Sequence, residues 1–172
     1  MTFNSRGPFL IWFIFLFGGA ALGIFLDLRW FPQLWHSLWF HGATLLPGLL
    51  LLRLVMLISR NTGRYLARKG REGEVPRMQT NRLVTDGMYG CMRHPMHLGL
   101  MLFPWSFALI VGSPAFILLI APAETLLILL LIKVVEEPEA RKKFGKAYDD
   151  YMKKVPGFSF RKECLKMLLH SE

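Results

Sequence analysis

Gly87-Met88-Tyr89-Gly90-Cys91-Met92-Arg93-His94-Pro95-Met96-His97-Leu98-Gly99 is where a polar, basic stretch of the chain runs into an apolar one, and the rest of the sequence is ordered around it. Pro95 suits the first position of a helix, because it lacks an N–H that would be unpaired there and its φ is already helical. A helix is therefore predicted to begin at about Pro95. Its free N–H groups and positive dipole end, with Arg93 beside them, form a place for an anionic group at a membrane surface. Taken alone, the stretch reads equally well as a loop whose basic residues only obey topology rules.

The chain has 172 residues, 53% of them hydrophobic and 13% aromatic, and its mean hydropathy is positive. That is enough for one domain, but the apolar residues are clustered into runs, which excludes an ordinary water-soluble core. The pattern predicts a multi-pass membrane protein. The net charge of +9 comes from Lys and Arg gathered beside apolar spans, where they set orientation and meet anionic lipid, so no nucleic-acid partner is predicted. Cys91 and Cys164 have neither CxxC nor metal spacing, so no disulfide framework, zinc site or other metal is predicted.

After a short polar leader, residues 9–26 form an apolar, aromatic-rich run long enough to cross a bilayer. Asp27, Leu28, Arg29 and Trp30 follow it instead of a small-residue cleavage site, which favours a retained helix over a secretory signal. Residues 30–40 alternate aromatic and polar groups, as suits an interfacial connection at headgroup level. His36 and His41 lack companion ligands and read as interfacial histidines. A second span is predicted over 42–58, kinked at Pro47, with Arg53 either snorkelling or facing a polar cavity. Residues 59–86 read as a basic surface loop carrying Arg60, Arg64, Arg68, Lys69, Arg71, Arg77 and Arg82. A third span runs from Met96 to about Val111, Gly112-Ser113-Pro114 reverses the chain, and a fourth follows over 115–135. Glu124 lies within it, readable as a functional carboxyl or as a packed one.

Lys and Arg number eight in 59–94 and nine after Val135, against one between the first two spans and none in the hairpin turn. This places both termini and the basic loop in the cytoplasm. The predicted architecture is all-α: one domain over 1–172, with two N-terminal spans (1–58), a cytoplasmic basic loop (59–94), a helical hairpin (95–135) and a cytoplasmic tail (136–172). The two cytoplasmic ends of the hairpin then close one pocket. The tail reads as a solvated amphipathic helix except at Glu136-Glu137, where adjacent carboxylates repel unless a cation such as an ammonium or sulfonium lies near them.

Thr85-Asp86-Gly87-Met88-Tyr89, Arg93-His94-Pro95, Gly99, Glu136-Glu137, Phe144-Gly145, Tyr148, Tyr151 and Val155-Pro156, in this order and spacing, resemble the isoprenylcysteine carboxyl methyltransferase and phospholipid methyltransferase superfamily of integral-membrane enzymes. The resemblance implies S-adenosylmethionine as donor, bound on the cytoplasmic side, and a lipid-like or prenylated acceptor entering from the membrane. It also implies donor binding by Gly87, Tyr89, Arg93, His94, Glu136 and Glu137. Two positions depart from the family pattern: His97 stands where it has tyrosine, and Ala140 where it has leucine.

Methyl transfer from a sulfonium is an in-line displacement, in which positioning contributes most, on the order of 7 to 11 kcal/mol at best. A carboxylate acceptor needs no base and would want a cation such as Arg60, Arg64 or Arg82. An amine or thiol must lose a proton, for which His97 is the catalytic candidate. The two other readings are a sterol-reductase-like enzyme using NADPH and a non-catalytic membrane adaptor.

Overall fold

The computed structural model describes residues 6–76 and 79–170, with side chains from residue 14 onward. Residues 1–5 of the predicted leader and Arg77 lie outside the described residues, and residues 6–8 already belong to the first helix. Among the described residues the regular structure is entirely helical. Two helices are long and apolar enough to cross a membrane, Leu38–Lys69 and Phe116–Phe144, and Pro95–Val111 is a shorter apolar helix. The chain divides into two compact units, one of residues 1–52 and 101–127, the other of 53–100 and 128–172.

The first unit is organised by the absence of side chains on helix α1 (Arg6–Trp30). A Cβ on Gly19 would stand 2.8 Å from Glu124 Oε1, and one on Gly23 would stand 2.9 Å from Ser113 Oγ. Glycine at these positions lets two apolar helices approach closely, which is how helices associate where lipid removes the hydrophobic drive. Beside the glycines, Ala20, Ala108, Phe116 and Ala121 form a buried cluster. Asp27 is fully buried, and its Oδ1 accepts the N–H of Ala115 at 2.7 Å. Ser113 Oγ likewise accepts the N–H of Phe116 at 3.1 Å, so two side chains serve the orphan donors at this helix start. The reversal at Gly112, whose φ is +66°, is as predicted, and a Cβ there would collide with the ring of His41. His41 Nε2 in turn pairs with the carbonyl of Trp35 at 2.7 Å. This histidine is satisfied by backbone. Glu124 is buried against Gly19, a packed position in this unit. The short helix α2 (Pro32–Trp35) supplies the predicted aromatic connection, with Trp30 and Trp39 exposed.

In the second unit the predicted boundary of the basic loop is corrected. Helix α3 (Leu38–Lys69) does not stop at residue 58 but carries Arg60, Arg64, Arg68 and Lys69 on about three further turns. The physical reason is local: residues 59–69 include Arg60, Arg64, Leu66, Ala67, Arg68 and Lys69, all good helix formers, and the Thr62 hydroxyl is satisfied within the helix by the carbonyl of Ile58 at 2.7 Å. The chain leaves the helix at Gly70, whose carbonyl accepts the N–H groups of Asn81 and Arg82. Arg53 is exposed on the outer face of α3, as snorkelling requires.

Helix α4 (Gly87–Cys91) and helix α5 (Pro95–Val111) bracket the Arg-His-Pro junction, and α5 starts at Pro95 as predicted. The helix of the fourth predicted span is continuous, with π-helical turns at Phe116–Ile120 and Ile132–Glu136 around α6 (Ala121–Leu131), and leads directly into α7 (Glu137–Phe144). Gly145, at φ +56°, turns the chain into α8 (Lys146–Lys154), and α9 (Lys162–Leu169) follows.

A second correction concerns the cysteines. Cys91 on α4 and Cys164 on α9 form a disulfide, with Cα atoms 5.6 Å apart. Spacing along the sequence carried no sign of it, because the partners are 73 residues apart and meet only when the chain folds back. Asn61 Nδ2 donates to the carbonyl of Leu168 at 2.8 Å, a second fastening of α9 to this unit. Closing a loop of this length is worth about 4 kcal/mol in the chain-entropy picture. Replacing both cysteines by alanine is expected to lower the thermal midpoint of detergent-purified protein by several degrees, and reductant is expected to do the same to the wild type but not to the double variant, as read by scanning fluorimetry.

Candidate functional site

Arg93 is the hub of the second unit. Its Nη2 donates to Glu137 Oε1 at 2.7 Å and its Nη1 donates to the carbonyl of Val155 at 2.6 Å. Its backbone N–H donates to the carbonyl of Pro156 at 2.9 Å, and that of His94 donates to Gly157 at 3.1 Å. The Arg-His-Pro junction, the end of the long apolar helix and the Val155-Pro156 stretch are thus tied at one side chain. The planar, permanently charged fork of arginine is what allows one residue to serve a carboxylate and a carbonyl together.

The histidines follow the same carboxylates. His94, buried at 4% exposure, has Nε2 3.2 Å from Glu137 Oε1 and Nδ1 3.7 Å from Glu136 Oε1. His97 Nε2 is 3.0 Å from Glu136 Oε2. The helix start at Pro95 places His94 and His97 on one side, their rings edge to face at 5.7 Å. Tail tyrosines close the arrangement from another direction: Tyr151 donates to the carbonyl of Tyr89 at 2.5 Å, and Tyr148, Tyr151 and Val155 form a buried cluster with Leu83, Ala140, Phe144 and Met152 around it. Ala140, where the family pattern has leucine, still packs into this cluster. Lys143 reaches back to the carbonyl of Thr80.

These groups enclose a cavity of about 410 Å³, within the range of small-molecule sites. Of the six predicted donor-binding residues, Tyr89, Arg93, His94 and Glu136 line it. Glu137 does not; it stands behind Arg93 and His94 and holds them. Gly87 lies on the wall of a second cavity of about 290 Å³ with Tyr65, Met88 and Lys166. Its φ is +55°, and a Cβ there would overlap the Tyr65 hydroxyl, so glycine is required for Tyr65 to stack on Tyr89, ring centroids 6.2 Å apart. The sequence reading missed that Thr80, Leu83, Lys143 and Phe144 also line the larger cavity. Phe144 belongs to the Phe144-Gly145 motif, to which the resemblance gave no site role; nothing but their place after the fold-back marks the other three.

The electrostatics oppose a buried charge to its partners. Partial burial works against ionisation of Glu136, yet hydrogen bonds from His94 and His97 prevail and bring it down to about 2. Glu137 is likewise lowered, burial being overcome by Arg93 and then His94. Tyr89 is pushed up by burial and by the neighbouring Tyr151 and Glu136, so it stays a neutral phenol. Tyr89 Oη and Arg93 Nε are buried without a protein hydrogen-bond partner. In a cavity wall, such groups are suited to a polar ligand. His94, His97 and Glu136 also bring one donor atom each within 4.8 Å of one another, a closeness that their ion pairs already explain.

The phospholipid methyltransferase family profile matches residues 43–147, more than half of the chain. The chain belongs to that family. Among solved structures, the eukaryotic intramembrane Ras methyltransferase, isoprenylcysteine carboxyl methyltransferase, shares the fold, with a TM-score of 0.58 and 24% identity over 92% of this chain. The chain spans 55% of that protein's length. No curated protein matches the sequence.

Because both carboxylates are lowered on folding, they stabilise the fold above their ordinary value of 4.5, and that stabilisation is lost as pH falls below it toward the lowered values, about 2 for Glu136. The thermal midpoint of detergent-purified protein is expected to hold from pH 7 to 5 and fall below about 4.5, and a variant carrying both Glu136→Gln and Glu137→Gln is expected to show a shallower fall.

Proposed function

We propose that this chain is an integral-membrane methyltransferase that moves a methyl group from S-adenosylmethionine to a lipid-like or prenylated acceptor resident in the bilayer. The observation that carries the reading is the larger cavity, in which Glu136, Arg93 and the three tyrosines Tyr89, Tyr148 and Tyr151 converge, with Arg93 Nε and Tyr89 Oη lacking a protein hydrogen-bond partner. Membership of the phospholipid methyltransferase family supports it. Phospholipid N-methylation is the alternative acceptor chemistry, and the family match fits it equally.

The residues suit the donor's chemistry. Glu136, ionised and lining the cavity, faces a cation favourably, whether ammonium or sulfonium. Arg93, held by Glu137 and the Val155 carbonyl, keeps an N–H for an anionic or carbonyl group. Tyr89, Tyr148 and Phe144 supply flat apolar surface. When bound, S-adenosylmethionine supplies an electrophilic methyl on a positively charged sulfur. What the chain contributes is a fixed site, since Arg93 and His94 are each locked by partners on other segments and little reorganisation remains at the moment of transfer. His94 acts here through donor binding, and Gly87 acts one step back by allowing Tyr65 to support Tyr89.

The apolar runs support four spans, and the lysine and arginine count supports an orientation with both termini and the cavity on the cytoplasmic side. The Cys91–Cys164 pair then lies where cellular thiols favour reduction, so the disulfide belongs to protein purified without reductant. Labelling of Glu74→Cys from the cytoplasmic face alone, with Gln33→Cys labelled from the other, is the expected pattern; the reverse would dismantle the assignment.

Calorimetry with S-adenosylhomocysteine on purified protein tests the donor site. Binding is expected for the wild type, with affinity weakened roughly 10- to 100-fold by Glu137→Gln, the cost of a lost charged hydrogen bond of about 1.5 to 3 kcal/mol. His94→Ala is expected to weaken it too, and Glu163→Gln on the exposed face of α9 to leave it unchanged. Binding of NADPH instead would replace the methyltransferase reading.

A further inference from the structure

The two imidazoles at the Arg-His-Pro junction are not used alike. Both ring nitrogens of His94 face a carboxylate, Nε2 that of Glu137 and Nδ1 that of Glu136, and the ring is buried. His94 has no nitrogen left with which to exchange a proton, and is a positioning residue. His97 turns only Nε2 to a carboxylate, 3.0 Å from Glu136 Oε2, and its side chain is 25% exposed. No hydrogen-bond partner for its Nδ1 is recorded among the described residues. In a neutral ring whose Nε2 faces a carboxylate, the proton sits on Nε2 and the lone pair on Nδ1. The carboxylate also stabilises the imidazolium formed when Nδ1 takes a proton, which is the role of the acid partner in a histidine dyad. The charged and titratable groups that face His97 are Glu136, from the end of the long apolar helix, and His94, edge-on from its own junction.

The two histidines also stand differently to the donor cavity. Glu136 and His94 line it; His97 does not. Glu136, a lining residue of the cavity, is thus shared, one oxygen toward His94 and the other toward His97. From this geometry we infer that Glu136 and His97 form the general-base pair of the transfer, and that the acceptor is a protic nucleophile, a thiol or an amine on an apolar molecule. The inference rests on the methyl-transfer reading above. His97 Nδ1 takes a proton from the acceptor's thiol, or from the ammonium group that an alkylamine carries at neutral pH; the electron pair so freed on sulfur or nitrogen forms the new bond to the methyl carbon, and the pair of the broken carbon–sulfur bond stays on the donor's sulfur. The proton on Nδ1 then leaves to water at the partly exposed edge of the ring. A carboxylate acceptor has no proton to lose, and the dyad would be idle with it.

The test uses full-length protein in detergent with three apolar probes, decanethiol, dodecylamine and dodecanoate, and S-adenosylmethionine carrying a labelled methyl group. The thiol or the amine is expected to be methylated in preference to the carboxylate, at a rate that rises with pH. His97→Ala is expected to cut that rate by 100-fold or more, remove the pH-dependent limb and respond to added imidazole, while S-adenosylhomocysteine still binds with wild-type affinity. Independently of turnover, nitrogen-15 NMR of the histidine rings, assigned by comparison with His97→Ala, is expected to show His97 protonated at Nε2 with a bare Nδ1, and Glu136→Gln to mix the two tautomers. A preference for dodecanoate, a His97→Ala variant with full rate on the thiol or amine, or a proton on Nδ1 would each overturn the inference. If the wild type binds S-adenosylhomocysteine yet methylates none of the three probes, the inference is overturned as well. Failure of the wild type to bind S-adenosylhomocysteine would instead count against the methyl-transfer reading, leaving the tautomer result to stand by itself.

Discussion

The half-buried ion pair between Arg93 and Glu137 is the constraint on which the second unit depends. Their side chains keep 12% and 17% of their surface, so neither charge is well hydrated, and removing one would strand the other. Each is satisfied further: Arg93 by the carbonyl of Val155, Glu137 by the ring of His94. Three segments far apart in sequence are held in register by this pair, and the cavity is the space they leave. The cavity is a by-product of that fastening.

That dual use clarifies the adjacent carboxylates. On paper Glu136 and Glu137 repel, and a ligand cation seems the obvious relief. In the structure each has its own protein cation or hydrogen-bond donor, Arg93 for Glu137 and the two imidazoles for Glu136. The labour is divided by helical geometry: successive residues point about 100° apart, so one carboxylate serves the framework and the other reaches the cavity wall.

Much of this was legible in the sequence because it depends on local rules. Pro95 marked a helix start, Gly112-Ser113-Pro114 marked a reversal, and the apolar runs marked the long helices, each from residues within a few positions of the event. The Arg-His-Pro and Glu-Glu motifs were found as residues but not as partners, since nothing in their spacing states that Arg93 takes Glu137 and His97 takes Glu136. The continuation of α3 to Lys69 was hidden by its charges, which read as a solvated loop although arginine and lysine are good helix formers. The disulfide was invisible for the reason that made it informative, a long separation closed only by folding.

That disulfide gives the chain a topology that no hydrogen bond confers. In the oxidised protein, Cys91 and Cys164 convert the segment between them into a covalent macrocycle, and the ring contains the Arg-His-Pro junction, the apolar hairpin, both carboxylates and the tail tyrosines. The N-terminal helices and the last turn of α9 hang outside it as branches. A single cut of the backbone anywhere within the ring therefore opens it without dividing the molecule, and every group that shapes the larger cavity from Met92 onward would remain on one covalently connected piece.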